Sequence, residues 1–171
     1  MTTTKWSIDQ AHSEIAFKVK HMMISTLTGH FEDFTASLES SAENFKDAKF
    51  EFEAKIDSIN TKNKDRDNHL KSGDFFDAAS FPTMKFTSTS FDGEKLTGDL
   101  TIKDVTKTIN LNVDFNGVAV DPYGQTKAGF EIKGEINRKD FGLTWSAVTE
   151  AGNIVVSDTV KLAVEIQFIK Q

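Results

Sequence analysis

Lys49-Phe50-Glu51-Phe52-Glu53-Ala54-Lys55-Ile56 is the stretch that decides the fold. Phe50, Phe52, Ala54 and Ile56 fall on one parity, and Lys49, Glu51, Glu53 and Lys55 on the other. A period of two puts successive side chains on opposite faces of an extended chain, so the stretch reads as a strand with one apolar and one solvated face. The Phe and Ile content favours the same pleated, half-buried surface.

The pattern recurs in both directions along the chain. Ile15, Phe17 and Val19 alternate with Ala16, Lys18 and Lys20; Phe34, Ala36 and Leu38 make a second run before the one quoted. After it come Met84 and Phe86, fading into Ser88 and Ser90, then Leu96, Gly98, Leu100 and Ile102. Ile109, Leu111, Val113 and Phe115 follow, then Ala128, Phe130, Ile132 and Ile136, and last Val160, Leu162, Val164, Ile166 and Phe168. Turn signals divide these eight runs at Asp92-Gly93, Asn116-Gly117, Asp121-Pro122-Tyr123-Gly124 and Gly152-Asn153. Both prolines, Pro82 and Pro122, lie outside the runs, as ladder hydrogen bonding requires. The expected fold is all-β: an eight-stranded antiparallel barrel over residues 1–171 as a single domain, with one short helical insertion around residues 63–80. Closure removes the exposed sheet edges, and eight strands enclose room for packed side chains or one slim ligand.

Composition narrows the function. At 171 residues, net charge −6 and pI near 5.2, the chain has no electrostatic footprint for nucleic acid. There are no cysteines, hence no disulfide and no thiol nucleophile. No run approaches the length of a membrane span. Met1 to Trp6 has no apolar leader core, so a cytoplasmic location is expected for the chain as given, and a periplasmic one if a leader has been removed. Fifteen Phe residues are a high count and hint at a greasy interior.

The one long interruption of the alternating pattern is Thr61 to Pro82, TKNKDRDNHLKSGDFFDAASFP. Asn63 or Asp65 is placed to cap a short helix that runs through Leu70 and stops near Gly73. Asp74 is placed to cap a second turn bearing Phe75, Phe76 and Ala79, ended by Phe81-Pro82. Lys62, Lys64, Arg66 and Lys71 against Asp65 and Asp67 leave residues 61–72 with a local charge of +2. Arg66 is one of only two arginines; the other, Arg138, sits in Ile136-Asn137-Arg138-Lys139-Asp140-Phe141-Gly142. A guanidinium fork holds a carboxylate, phosphate or polar headgroup in a way that lysine does not.

Several of these pieces carry a resemblance. Trp6-Ser7-Ile8-Asp9, His12-Ser13, Phe17-Lys18-Val19-Lys20-His21-Met22 and Gly29-His30-Phe31 are followed by Ser58-Ile59-Asn60-Thr61, Arg66-Asp67-Asn68-His69-Leu70 and Asp74-Phe75-Phe76-Asp77. Phe81-Pro82, Gly98-Asp99-Leu100-Thr101-Ile102 and Arg138-Lys139-Asp140-Phe141-Gly142 complete the set. In this order and spacing the chain resembles the YceI-like family, lipocalin-like barrels associated with polyisoprenoids and related long-chain lipids. The resemblance implies binding of an elongated apolar ligand, an isoprenoid lipid or quinone, with no other cofactor, and it suggests a homodimer.

The candidate ligand-binding residues follow. Phe17, Val19, Phe34, Phe50, Phe52, Ala54, Phe86, Phe115, Phe130, Ile132 and Phe168 are expected to face inward; His69, Phe75 and Phe76 belong to the helical insertion. His21 and Arg138 continue the inward parity of their strands, and with Arg66 they meet either a ligand's polar end or a structural partner among Asp67, Asp77 and Asp140. The alternative to a binding protein is an enzyme on a lipid-like or small aromatic substrate, with His21 as general base and Arg66 or Arg138 steadying an oxyanion. His12, His21, His30 and His69 match no metal-site spacing, and there is no Gly-x-Ser-x-Gly elbow or phosphate loop.

Overall fold

The computed structural model describes residues 3–22, 24–41, 44–145 and 156–171. The strands are β1 (Thr4–Ile8), β2 (Glu14–His21), β3 (Ser25–Phe31), β4 (Phe34–Ser40), β5 (Lys49–Lys55) and β6 (Ile59–Asn60). A helix, α1 (Lys64–Lys71), separates them from β7 (Thr83–Phe91), β8 (Lys95–Ile102), β9 (Val105–Val120), β10 (Thr126–Asn137) and β11 (Thr159–Lys170). Every ladder is antiparallel, and β5-β7-β8-β9-β10-β11 run as a meander. β11 returns to β1 (Trp6 opposite Lys170, Ile8 opposite Phe168) and β1 pairs with β4, which pairs with β5, so eight strands close a barrel.

The closing ring is not made of the eight runs seen in the sequence. β2 carries one of those runs, yet the ring uses β1 in its place. β1 and β2 share one edge of β11 in succession: β1 opposite Phe168 to Lys170, β2 opposite Lys161 to Glu165. β3 adds to β2 and β6 adds to β3, so this wall extends beyond the ring at one end. A change of parity marks the corner between β3 and β4. Phe31 and Phe34 are both buried, and the two polar residues between them, Glu32 and Asp33, let the chain turn so that both rings face inward.

Asn116-Gly117 is not a turn. β9 runs on to Val120, and the ladder with β10 shifts register there: Gly117 opposes Gly129 and Phe115 opposes Phe130. Asn116 is the extra residue of a bulge, and Gly117 supplies its φ of +109° without a Cβ penalty. The turn is made at Asp121 to Gln125, where Asp121 Oδ1 accepts from the amides of Tyr123 and Gln125. The Asp92-Gly93 turn joins β7 to β8 with Gly93 at φ +101°. Gly152-Asn153 lies outside the described residues.

The turn end of the long β9–β10 hairpin is tied to the barrel by charge. Lys127 Nζ lies 2.6 Å from Asp9 Oδ2 and 3.3 Å from Asp121 Oδ2, all three side chains largely covered. The Lys127 hydrogen bond holds the Asp9 carboxyl below its ordinary range, and the same bond raises the Lys127 ammonium. Burial pulls Asp121 upward, but the Gln125 and Tyr123 amides and then Lys127 outweigh it, and that carboxyl too ends low.

Aromatic rings fill the barrel at the β1–β4 end. Phe50, Phe130 and Phe168 are almost wholly buried, with ring centroids 5.5 Å apart for Phe50–Phe130, 6.2 Å for Phe50–Phe168 and 6.0 Å for Phe130–Phe168. Phe45 closes over them from the β4–β5 connection, 5.4 Å from Phe130 and 5.3 Å from Trp6. Each buried ring is worth about 1.5–3 kcal/mol of transfer, with edge-to-face pairing adding about 0.5–1.5 kcal/mol per pair. Phe50 N–H donates to Ser88 Oγ at 2.9 Å, which accounts for a serine where the fourth run loses its apolar face.

Candidate functional site

The opposite half of the barrel is hollow. A cavity of about 240 Å³ opens at the end where α1 crosses the strands. Phe17, Val19 and His21 of β2 line one side, and Arg66, His69, Leu70, Phe75 and Phe76 form the roof. A second cavity of about 100 Å³ lies deeper, among Phe52, Ala54, Phe86, Leu100, Leu111 and Ile132. Met84, Ile102, Ile136 and Leu162 line both, so the two adjoin along one path down the barrel. Two glycines shape it. A Cβ at Gly98 would fall 2.5 Å from Phe86 Cζ, and one at Gly134 would fall 2.3 Å from Leu111 Cδ2. Phe86 and Leu111 therefore lie flat across the neighbouring strand instead of standing out into the lumen.

The roof is built locally. Asn63 caps α1, its side chain accepting from the Arg66 amide at 3.0 Å. No residue of α1 is fully buried; Leu70 packs part-buried against the core, and polar contacts supply most of the rest of the hold. Their hub is Thr61, buried just before the cap. Asp67 Oδ1 accepts from the Thr61 amide at 2.9 Å and from its hydroxyl, while Arg66 Nε donates to Thr61 Oγ1 at 2.8 Å and Arg66 Nη2 to the Thr61 carbonyl. The expected second helical turn does not form. After Lys71 the chain folds through successive turns, with Phe76 N–H on the Leu70 carbonyl at 3.0 Å and Asp77 N–H on Ser72 at 2.9 Å. Asp77 takes φ +50°, which breaks helical continuity where a second turn would have run.

His69 bridges roof and rim. Its Nε2 lies 2.9 Å from Asp74 Oδ2, and its ring meets Phe75 and Trp145 edge-on at 5.1 and 5.0 Å. His12 and His30 are likewise paired with single carboxylates, Asp9 and Glu14. No three His, Asp or Glu side chains converge as metal ligands among the described residues.

Arg138 is the buried charge of the site. Nε donates to the Ser157 carbonyl at 3.0 Å, and Nη1 to the carbonyls of Leu143 at 2.7 Å and Trp145 at 2.6 Å. Nη2 lies 3.7 Å from Asp158 Oδ1. Burial lowers the guanidinium's proton affinity and the Asp158 carboxylate pushes back. The expected partners Asp67, Asp77 and Asp140 are not the ones found; backbone carbonyls take their place, because the chain after Phe141 folds over the guanidinium.

The cavities thus gather Phe17, Val19, His21, Phe52, Ala54, Arg66, His69, Phe75, Phe76, Phe86, Ile132 and Arg138 from the sequence-derived set. Five others stand apart. Phe50, Phe130 and Phe168 belong to the filled end, and Phe34 packs with Phe31, Ala54, Ile56 and Ile59 in a separate cluster. Phe115 is half-exposed against Phe45 and Phe130, because β9 leaves the barrel beyond Val113. Residues that sequence reading passed over include Met84, Ile136 and Leu162, whose inward parity marked them, and Trp145, for which no periodic signal existed.

The geometry has close counterparts. A crystal structure of the YCEI protein of Campylobacter jejuni superimposes with a TM-score of 0.73 at 36% identity, over 89% of this chain and 90% of that one. A domain from Saccharophagus degradans described as polyisoprenoid-binding and implicated in plant cell wall breakdown shares the fold at TM-score 0.71 and 16% identity, over 97% and 98% of the two chains. In sequence, the UPF0312 protein SAS2572 of Staphylococcus aureus (strain MSSA476) is 37% identical over 166 residues, 96% of this chain and 97% of that protein. The profile of the YceI-like domain matches residues 6–168, and the chain belongs to the YceI-like domain family.

Proposed function

We propose that the protein binds and carries, without converting it, an elongated apolar molecule of the isoprenoid lipid or isoprenoid quinone class. The observation that carries this reading is the path of adjoining cavities from the roof to Phe52 and Ile132, apolar along its length and with Lys20, His21, Arg66 and His69 at its outer end. Each CH₂ group moved from water into such a path contributes about 0.8 kcal/mol, less the cost of ordering the chain. The polar end would rest against Arg66 and His69, two of whose neighbours, Thr61 and Asp74, already fix their orientation. The polyisoprenoid binding described for the similarly folded Saccharophagus degradans domain supports the ligand class by fold alone.

Organic extraction of the purified protein followed by mass spectrometry tests the reading. Stoichiometric isoprenoid, recovered unchanged after incubation, is the expected result. A protein that retains no lipid and takes none up from added isoprenoids, or one that returns a converted product, would overturn it.

A further inference from the structure

The two halves of the barrel differ in what fills them. On β11, Val160 and Leu162 line the outer cavity and Leu162 and Val164 the inner one, whereas Phe168 is completely buried in aromatic contacts. β10 repeats the division: Ile136 lines both cavities, Ile132 the inner one, and Phe130 is sealed against Phe50 and Phe168. The change from space to solid packing falls between Ile132 and Phe130, at the same level on both strands. Phe45 and Trp6 back the layer from outside; a surface depression at Asn44, Asp92 and Glu94 reaches the far side of Phe130, but the layer stays closed among the described residues, with Phe130 1% exposed.

We infer that the ligand path is blind, and that the Phe50–Phe130–Phe168 layer sets an upper limit on the length of apolar chain the protein can bury. The inference rests on the lipid-binding reading and adds to it a selection by length. From Ile136 to Ile132 the enclosed stretch spans about 13 Å of strand at ~3.3 Å per residue. With the strand tilt of an eight-stranded barrel this is about 10 Å along the axis, to which the outer cavity under α1 adds its own depth. A short prenyl chain fits with its polar end at Arg66. A much longer chain must leave its remainder outside, where it gains nothing from burial.

The test measures affinity for geraniol, farnesol, geranylgeraniol and solanesol by displacement of a fluorescent apolar probe. Results are expressed as the ratio of variant to wild type for each alcohol, which cancels self-association of the longer ones. In the wild type each isoprene unit that enters should raise affinity by more than about tenfold, since one buried CH₂ is worth about fourfold. From geranylgeraniol to solanesol the affinity should be level. Ile132→Phe raises the floor into the inner cavity and should move the levelling point to a shorter alcohol. Phe130→Ala lowers the floor and should move it to a longer one; if this variant fails to fold, Ile132→Phe decides alone. Affinity that keeps climbing to solanesol, or a levelling point that Ile132→Phe leaves in place, overturns the length limit while lipid binding stands. No binding of any of the four alcohols removes the binding reading, and the limit with it.

Discussion

Arg138 Nε donates to the carbonyl of Ser157 at 3.0 Å, across nineteen residues of sequence. The same guanidinium holds Leu143 and Trp145 through Nη1, so one buried cation joins the two stretches of chain that flank residues 146–155. An arginine fits this position because its fork presents several donors in fixed directions and stays charged in a dry setting. Arg138→Met should therefore cost more than about 3 kcal/mol, because several buried carbonyls lose their donor at once. Denaturant unfolding reads the loss; a change within about 0.5 kcal/mol would show that those carbonyls find other donors.

Arg66 commits two of its donors to Thr61, at Nε and Nη2. Arg66→Lys keeps the charge and loses both bonds, so the roof should loosen by about 1–2 kcal/mol. Because the lost fork also meets the headgroup, ligands with polar heads should weaken more than plain alkyl chains. Equal weakening of both would show instead that Arg66 only holds the roof.

Ala54 faces the inner cavity from β5 and is 3% exposed. Ala54→Trp should fill that space and abolish lipid retention, with about 1–3 kcal/mol of overpacking tolerated by the fold. A folded variant, verified by circular dichroism, that still retains lipid would place the ligand elsewhere.

How much of this was legible beforehand follows from what parity can say. Alternation identified seven of the eight ring strands, because Phe, Leu and Ile recur at every second position through β4, β5 and β7 to β11. It passed over β1, where Trp6 is the one buried residue, β3, whose inward positions include Gly29, and β6, two residues long. Asn-Gly is the strongest short hairpin signal, yet at Asn116-Gly117 the same left-handed glycine serves a bulge. The mouth residues Arg66, His69, Phe75 and Phe76 stood out because they cluster in the one non-alternating segment. Parity tells inward from outward but carries no coordinate along the barrel axis. Phe52, at the cavity, and Phe50, in the sealed layer, therefore looked alike.

Acid should release the turn end of the β9–β10 hairpin before the barrel. The Asp9 and Asp121 carboxyls are held below their ordinary range, Asp9 chiefly by the Lys127 hydrogen bond and Asp121 by backbone amides and Lys127 against burial. A depressed carboxyl contributes stability that is present above its unfolded value, about 3.9, and lost as pH falls through the folded one. The raised Lys127 contributes below its unfolded value and fades only at high alkaline pH. Amide exchange at residues 118–127 should therefore rise below about pH 4, ahead of the β4 and β5 amides. Lys127→Met should flatten that dependence; an unchanged profile would show that the tie does not hold the hairpin.

The roof should open to admit a ligand. Hydrogen bonds within residues 61–82 are mostly local, and α1 has no fully buried side chain, Leu70 alone packing part-buried against the core. Exchange there should be faster than in the strands and should slow when isoprenoid is added. Strong protection without ligand, unchanged on its addition, would mean that access lies at another point of the wall.

The ring closes through its first and last strands: Trp6 stands opposite Lys170, and the Gln171 amide donates to the Lys5 carbonyl at 2.9 Å. A ribosome delivers β1 first and β11 last. Until β11 has emerged, β10 and β1 both present bare edges, and the apolar faces between them have no partner across the lumen. Contacts of such long sequence separation also form slowly. The period between synthesis of β4 and arrival of β11 is thus when the nascent chain is most prone to pair with a neighbour, and when a holding chaperone would do most for its yield.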